Sequence, residues 1–406
     1  MSLRRSVALW LVSCFVFVIL WSAPAAAAPS GPPIRIGGTS AMTGPLAPQG
    51  LIHKVVGDIY VEQLNRKNGL LGRPVEYVML DDQSKAEVTR SLYERLITVD
   101  KADLLIGAMG TGLNIAAMAV AQRYQKILIT ATMGIPKLST YDMHFSTQAI
   151  GAEPEKAFPE KVFDALASTG RPPKTVALVT SKFPSVHFIS VGAREVAQKR
   201  GLSVPLYLEY EFGNRDFGPI ATRIKEANAD FLWVGAVGFE GNMLLEALKK
   251  IGYSPRGHLY IFPASGPMAQ LPEAKYALAL TVFAEHPPFT DNPVAAEFVK
   301  MYNERAAKAG MSYTKVEQTA SITYCMWQVL EAAVNATKSL DDKVLARWLK
   351  TNSVDTVIGK QRFDHPTHLG FGDDLLKIMQ VQDGRWMVVW PREWAAPGAK
   401  IIYPSP

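Results

Sequence analysis

Short apolar segments alternate with amphipathic segments along most of the chain. Residues 34–39 form an apolar run that leaves into a loop of Gly, Ser and Pro, and residues 51–69 then show helical spacing that ends at a glycine. This succession repeats through residue 138 and restarts after Gly151. Strands that alternate with helices of this length favour a parallel sheet covered on both faces. The pattern therefore predicts an α/β protein with two consecutive sheets.

The last quarter of the chain departs from this alternation. Residues 292–309 and 315–337 have the spacing of long helices. The tail that follows alternates apolar and polar positions on both sides of Asp383 and Gly384, which is typical of a β-hairpin.

Several predicted strands end in loops rich in Gly, Ser and Thr, most clearly in "ILITATMGIP", residues 127–136. In open α/β sheets, ligands bind beyond the carboxyl ends of the strands. The helices that follow such loops offer free backbone N–H groups and the positive end of the helix dipole to an anion. Tight turns with ordinary helix caps are the alternative for each loop taken alone. Together, the loops predict a binding cleft for a carboxylate.

Residues 1–28 have the pattern of an export signal. Two arginines precede an apolar run, and an Ala-rich segment follows it, so we expect cleavage near Ala26 or Ala27. A membrane anchor is the alternative, but the apolar run is short for that role. The segment that ends in Cys14 resembles a lipoprotein acylation site, although the apolar run continues beyond it. The sequence thus predicts an exported, periplasmic protein.

Length, cysteine content and charge limit the possible classes further. After cleavage, Cys325 would have no partner for an internal disulfide, and its apolar helical surroundings predict a buried, inert thiol. The remaining chain of about 380 residues is too long for one ordinary core and predicts two domains. Loss of the two signal arginines would lower the formal net charge from +6 to +4. Because the basic residues are scattered singly, nucleic-acid binding is not expected.

The usual motifs of catalytic and cofactor sites are missing. The sequence has no G-x-G-x-x-G opening a helix, no P-loop, no G-x-S-x-G, no H-E-x-x-H and no C-x-x-C. His365 and His368 are close in sequence, but they lie on a predicted loop, which disfavours a metal site. Asp81 and Asp82 are more typical of a helix cap than of an acid–base pair. We therefore expect no enzyme activity, no cofactor and no metal.

Several segments in this order and spacing carry a family resemblance: "AMTGPLAPQG", "LNRKNGLLGRPVEYVMLDDQS", "DLLIGAMGTGLNIAAM", "GNRDFGPIATRIKEANADFLWVG" and a tail with "VQDGRW". With them the chain resembles type I periplasmic solute-binding proteins of ABC importers, of the branched-chain amino-acid and amide group. The resemblance implies two Rossmann-like lobes with parallel central sheets, joined by a three-crossover hinge, that close on a solute. Lobe I would comprise residues 29–148 and 282–360, and lobe II residues 149–281 and 361–406.

The resemblance also implies where the ligand binds. Thr111 takes the place of a family serine that holds the ligand carboxylate. Gly134 and Met133 replace a Thr and an Ala of a family segment that holds the amino-acid head group. Phe183 replaces a tyrosine, and Gln49 replaces an aromatic residue. One hydroxyl is thereby lost while apolar, polarizable walls are gained.

Glu240 corresponds to the acidic residue that pairs with the ligand ammonium in the family, and a Glu that stabilises a helix N-terminus is the alternative. The predicted ligand-binding residues are Met42, Gln49, Thr111, Gly112, Thr132, Met133, Gly134, Phe183, Phe239 and Glu240. We expect Thr111 and the amides of residues 132–134 to hold a carboxylate. Phe183, Met133 and Met42 would surround the ligand body, and Gln49 and Glu240 would bind a distal polar group.

These substitutions favour a small carboxylate with an apolar or aromatic body over an ordinary α-amino acid, although Glu240 argues for an ammonium. The predicted function is that of a monomeric substrate-binding protein that delivers its ligand to the permease and ATPase subunits of an ABC importer. A binding protein for branched-chain or hydrophobic amino acids or amides is one alternative. A ligand sensor without transport is another, because one fold serves both roles.

Overall fold

The computed structural model describes residues 28–311, 313–368, 370 and 375–405, so residues 1–27 of the predicted export signal lie outside the described residues. The strands are β1 Ile34–Ser40, β2 Val75–Asp81, β3 Leu104–Ile106, β4 Leu128–Thr130, β5 His144–Ser146, β6 Thr175–Ser181, β7 Ser203–Tyr210, β8 Phe231–Gly235, β9 His258–Tyr260, β10 Leu278–Thr281, β11 Ser353–Thr356, β12 Gly359–Arg362, β13 Lys377–Gln382 and β14 Arg385–Trp390. The helices are α1 Ala47–Arg66, α2 Ala86–Thr98, α3 Thr111–Arg123, α4 Pro154–Ala167, α5 Pro184–Lys199, α6 Gly218–Ala227, α7 Glu240–Lys250, α8 Ser265–Ala269, α9 Pro293–Lys308, α10 Gln318–Thr337 and α11 Asp342–Thr351.

The strands form two large sheets. The first has the order β2-β1-β3-β4-β5, and all of its pairs are parallel. The second has the order β14-β13-β10-β9-β8-β6-β7, in which β13 runs antiparallel to both of its neighbours. The central strands β3 and β8 are buried along their whole length, which explains their continuous apolar sequence. The prediction of an α/β protein with two mainly parallel sheets is confirmed.

The chain passes between the two lobes three times. It leaves the first sheet after β5, leaves the second sheet after β10, and returns to the second sheet after β12. Between the last two passages, α9 and α10 pack on α1 beside the first sheet. Trp327 of α10 stacks on Tyr60 of α1, with ring centroids 5.8 Å apart. These helices therefore belong to the same lobe as the first sheet.

The elements of the C-terminal region agree with the sequence where the apolar spacing is strong. The predicted helices at 292–309 and 315–337 appear as α9 and α10, and the predicted hairpin appears as β13 and β14. Short elements such as β5, β10 and β11 are not apparent in the sequence pattern. Cys325 is buried in α10, and burial raises the pKa of its thiol to about 12. None of the described helices combines the length and apolar composition needed to cross a membrane.

Candidate functional site

A cavity of about 70 Å³ lies between the two lobes. Most of its residues follow the carboxyl ends of strands or begin the helices that come next, as the fold class leads one to expect, and Leu280 and Met379 lie within β10 and β13. The cavity is lined by Leu46, Gln49, Met109, Gly110, Thr111, Thr132, Gln148, Phe183, Ser185, Val237, Phe262, Pro263, Ser265, Leu280, Glu317, Gln318, Thr319, Ile322 and Met379. Of the predicted ligand-binding residues, Gln49, Thr111, Thr132 and Phe183 are brought together here.

Two of the threonines that line this cavity, Thr111 and Thr132, lie in or beside α3 of the first lobe. Thr111 Oγ1 accepts the backbone N–H of Gly134 at 2.8 Å. Thr132 Oγ1 accepts the backbone N–H of Gly110 and the side-chain amide of Asn114, each at 2.9 Å. Since both oxygens already accept hydrogen bonds from the protein, each hydroxyl has its own hydrogen left to donate. The pair therefore suits a ligand that accepts hydrogen bonds, such as a carboxylate.

The loop that follows β4 begins with small hydroxylated residues because they link this loop to a neighbouring one. Thr132 connects the β4–β5 loop to the start of α3 through its bonds to Gly110 and Asn114. Gly110, with φ of +109°, has a backbone conformation that residues with a side chain rarely adopt. The turn places the start of α3 at the cavity, where its first N–H groups lack intrahelical partners. The positive end of this helix dipole adds to the preference for an anion.

The wall from the second lobe is mainly apolar and lies very close to the first lobe. Phe183, which precedes α5, packs on Phe212 with ring centroids 4.8 Å apart. Its ring also covers Gly110, where an added Cβ would lie 3.2 Å from Cζ of the phenylalanine. Likewise, a Cβ on Gly238 would overlap the carbonyl oxygen of Pro45 across the cleft. The lobes are thus in a closed arrangement.

Gln49 bridges the two lobes. Its Nε2 donates to the carbonyl oxygens of Phe262 at 3.3 Å and Pro263 at 3.1 Å. Its Oε1 is buried and has no hydrogen-bond partner among the described residues. The two hydrogen bonds of Nε2 join the lobes and so stabilise closure. Because a buried acceptor without a partner is costly, Oε1 is suited to accept a hydrogen bond from a ligand.

Glu240, at the start of α7, does not line the cavity. Its Oε1 accepts the backbone N–H of Gly213 at 3.0 Å and the hydroxyl of Ser181 at 3.3 Å, while Oε2 accepts the N–H of Val237 at 3.4 Å. Burial raises the pKa of Glu240 to about 7, and these hydrogen bonds oppose part of that shift. The carboxylate therefore connects loops within the second lobe, and it lies outside the lining of the cavity at which the sequence predicted a ligand contact.

Glu317 is the acidic residue that does line the cavity, and the sequence analysis did not identify it. It immediately precedes α10, beside Gln318 and Thr319. Burial of its carboxylate raises its pKa to about 7, and a hydrogen bond from Ser265 partly offsets this. The sequence signal was a lone Glu before a long apolar helix, which is also the pattern of an ordinary surface helix start.

The remaining predicted residues lie around the cavity without lining it. Met133 is fully buried in the core of the first lobe, and its N–H donates to Gln148. Gly134 gives its N–H to Thr111 and faces Ser185 of the other lobe.

Three further predicted residues are also outside the lining. Gly112 approaches Pro184, with 3.8 Å between an added Cβ and Cγ of the proline. Met42 is half-buried, and its N–H donates to Asp81 at 3.0 Å. Phe239 is 41% exposed on the surface of the second lobe. None of these three residues lines the cavity, and their predicted contacts with a ligand stay predictions.

The histidine pair in the C-terminal loop has other partners. His365 Nδ1 bonds to Thr367, and His368 Nδ1 bonds to the backbone oxygen of His144 at 3.0 Å. Within the described ranges, no group of three or more His, Cys, Asp or Glu residues is placed to hold a metal ion.

Comparison with known proteins gives consistent results. Residues 33–385 match the family model described as "Periplasmic binding protein". The Leu/Ile/Val-binding protein of Escherichia coli is 21% identical over 337 residues, which cover 82% of this chain and 86% of the relative.

Solved structures resemble the chain over most of its length. The substrate-binding protein LivJ of Streptococcus pneumoniae, in complex with isoleucine, has a TM-score of 0.72 and 18% identity, covering 87% of this chain and 98% of the other. A solute-binding protein of Rhodopseudomonas palustris, in complex with benzoate, has a TM-score of 0.75 and 18% identity, covering 90% and 98%. At this identity the likeness shows a shared fold, and the expected two-lobed architecture is confirmed.

Proposed function

The chain belongs to the periplasmic binding protein family, and we propose that it captures a small carboxylate with an apolar or aromatic body for an ABC importer. The observation that carries this proposal is the pair of hydroxyls on Thr111 and Thr132. Each oxygen already accepts a protein N–H, so each hydroxyl can donate to a carboxylate oxygen. The start of α3 supplies unpaired N–H groups and a favourable dipole beside them.

The rest of the lining supports an apolar ligand body. Aliphatic, thioether and aromatic side chains from both lobes surround the cavity: Leu46, Met109, Phe183, Val237, Phe262, Leu280, Ile322 and Met379. Burial of apolar ligand surface against them contributes roughly 25 cal/mol per Å². A ligand that contacts both walls binds the closed form better than the open form, and so shifts the equilibrium toward closure.

The proposal is tested by removing one hydroxyl. Thr111→Val keeps the shape of the side chain but removes the donor, whereas Thr111→Ser keeps the donor. Isothermal titration with benzoate should show a loss of affinity of roughly tenfold to a hundredfold for Thr111→Val, because a hydrogen bond to a charged group contributes about 1.5–3 kcal/mol. Thr111→Ser should bind within about threefold of the original protein. Equal affinities for all three proteins would exclude Thr111 from the site.

An amino-acid ligand is the second candidate, and Glu317 is the observation that favours it. An ammonium could donate to this carboxylate and to the unpartnered Oε1 of Gln49. Thermal denaturation with a panel of benzoates, branched-chain amino acids and amides separates the two candidates. A ligand at a hundredfold excess over its Kd stabilises the protein by ~2.7 kcal/mol. Stabilisation by leucine or its relatives alone would replace our first candidate.

The proposal includes export to the periplasm, action as a monomer and delivery to a permease with ATPase subunits. Uptake of labelled ligand by cells with and without this chain distinguishes transport from sensing, since a sensor would leave uptake unchanged. Mass spectrometry of the periplasmic protein should find an N-terminus near residue 27. A retained N-terminal segment would contradict the expected cleavage.

A further inference from the structure

A second cavity of about 300 Å³ adjoins the one between the lobes. Ser265, Glu317 and Met379 line both cavities and form the partition between them. The threonines that would hold the carboxylate line the first cavity and not the second. A ligand that is bound at these threonines therefore reaches the second cavity only past these three side chains.

One of the three side chains in this partition, that of Met379, can change its conformation. The indole Nε1 of Trp386 donates to the backbone oxygen of Ser265 at 2.7 Å, which fixes that side of the passage. Met379 is unbranched and has a polarizable thioether, so it can change conformation around a ligand at low cost. A rearrangement of Met379 would join the two cavities into one site.

The lining of the second cavity suits a mainly apolar group, and the charged Arg385 on that lining is exposed to solvent. Phe283, Trp386 and Val388 contribute apolar and aromatic surface. The carboxylate of Glu285 lies 3.2 Å from Lys315 Nζ through one oxygen and accepts the N–H of Val316 at 2.5 Å through the other. The charge of this carboxylate is thus balanced by Lys315, so a charged ligand group is not needed to pair with it.

The sizes of the two cavities also point to joint use. Pockets for small molecules commonly measure roughly 300–1,000 Å³, and the first cavity alone is well below that range. With the second cavity added, the site reaches the lower end of that range. The first cavity would hold the head group, and the second would hold a distal apolar group.

We propose that the ligand is an elongated arylalkyl carboxylate whose body passes Met379 and places its ring in the second cavity. This inference rests on the proposed function, because it assumes that the carboxylate binds at Thr111 and Thr132. It narrows the ligand class from small carboxylates with an apolar or aromatic body to acids in which a flexible chain of several carbons separates a ring from the carboxylate.

Isothermal titration with benzoate, 3-phenylpropanoate, 5-phenylpentanoate and hexanedioate tests this inference. The protein should bind 5-phenylpentanoate at least tenfold more tightly than benzoate, since each buried methylene adds affinity. Equal or weaker binding of the longer aryl acids would overturn the inference and leave the proposed function standing. Tighter binding of hexanedioate than of the aryl acids would overturn it as well, and would indicate that a charged group such as Arg385 binds the distal end. Failure of every carboxylate to bind would refute the proposed function and this inference together.

Two variants show where the ring binds. Ala284 is half-buried and lines the second cavity but not the first, so Ala284→Phe should fill the second cavity alone. We expect Ala284→Phe to reduce the affinity for 5-phenylpentanoate at least tenfold and to leave benzoate binding within about twofold, with Ala284→Ser as the matched control. Met379→Ala, which widens the passage, should retain the preference for the long acid. Equal losses for both ligands in Ala284→Phe, or loss of the preference in Met379→Ala, would refute the assignment.

Discussion

Each lobe has one glutamate near the cleft whose carboxylate is desolvated, and the two residues differ in what surrounds them. Glu240, in the second lobe, accepts hydrogen bonds from two backbone N–H groups and a hydroxyl of its own lobe. Glu317, beside the first lobe, faces the cavity and has Ser265 as its hydrogen-bonding neighbour. Burial raises the pKa of each carboxyl group to about 7. An equal pKa shift therefore does not distinguish the two residues. What distinguishes them is that the side chain of Glu317 lines the cavity and that of Glu240 does not.

The largest expected effect of this difference is on stability. Glu240→Ala would leave the N–H groups of Gly213 and Val237 without their acceptor and would open a void at the start of α7. We expect the free energy of unfolding to fall by about 2–4 kcal/mol, because each unsatisfied buried donor costs roughly 1–3 kcal/mol. Glu317→Ala, as the matched control, should cost less than ~1 kcal/mol. Urea denaturation measures both, and a larger loss for Glu317→Ala would invert the comparison.

The sequence predicted the fold well because strong apolar periodicity decides the sheets and long helices. The sequence could not show which of the two glutamates lines the cavity, because the surroundings of both depend on tertiary structure. The resemblance implied that Glu240 pairs with a ligand ammonium, whereas in the structure its carboxylate accepts the backbone N–H of Gly213, which lies far from it in sequence. Glu317 reaches the cavity only because the chain returns to the first lobe after β10, far along the sequence.

Of the three residues that the sequence predicted as ligand contacts in the loop after β4, one lines the cavity. Thr132 lines the cavity, whereas the adjacent Met133 is buried in the core. Successive side chains of an extended segment point in opposite directions, so a one-residue difference decides which of them reaches the ligand. Only the hydrogen bonds of Thr132 and Gly134, which join the loop to α3, settle that choice.

The next largest effect concerns the close approach of the second lobe's wall to the first. Gly238→Ala would place a methyl group against the carbonyl oxygen of Pro45 and hold the lobes apart. We expect at least a tenfold loss of ligand affinity by calorimetry. Gly252→Ala is a matched control, because Gly252 has the same φ of +63° and no neighbour within 4 Å of the added Cβ. Equal affinity of the two variants would show that the close approach of Gly238 to Pro45 does not limit ligand binding.

The pH dependence of stability should reveal the property that the two glutamates share. Each has a pKa raised from its usual 4.5 to about 7, so the folded protein binds more protons than the unfolded chain between these values. The resulting stability is fully present below pH 4.5 and is lost as the pH rises through about 7. Buried His53 and His258, with pKa values lowered to about 4 by desolvation, act in the opposite direction.

Comparison with a glutamine variant cancels the histidine contribution. Between pH 5 and pH 8, the free energy of unfolding of the original protein should fall relative to that of Glu240→Gln by on the order of 1 kcal/mol. Glu317→Gln should give a similar difference without ligand. Denaturant titrations at a series of pH values measure it, and a pH-independent difference for either variant would mean that its carboxyl group titrates normally in the folded state.

The smallest expected effect is on ligand selectivity, and it separates the two acids most directly. At pH 8, Glu317 is largely ionised and repels a carboxylate in the cavity, so Glu317→Gln should raise the affinity for benzoate about threefold to tenfold. At pH 5, where the original side chain is already neutral, the variant should bind like the original protein. Glu240→Gln should change benzoate affinity by less than about twofold at either pH, because its carboxylate is bonded within its own lobe. If Glu240→Gln changed the ligand selectivity and Glu317→Gln did not, Glu240 would be the ligand contact, as the sequence predicted. Such a result would also favour an ammonium-bearing ligand over a simple carboxylate, since an ammonium is the natural partner of a buried acid.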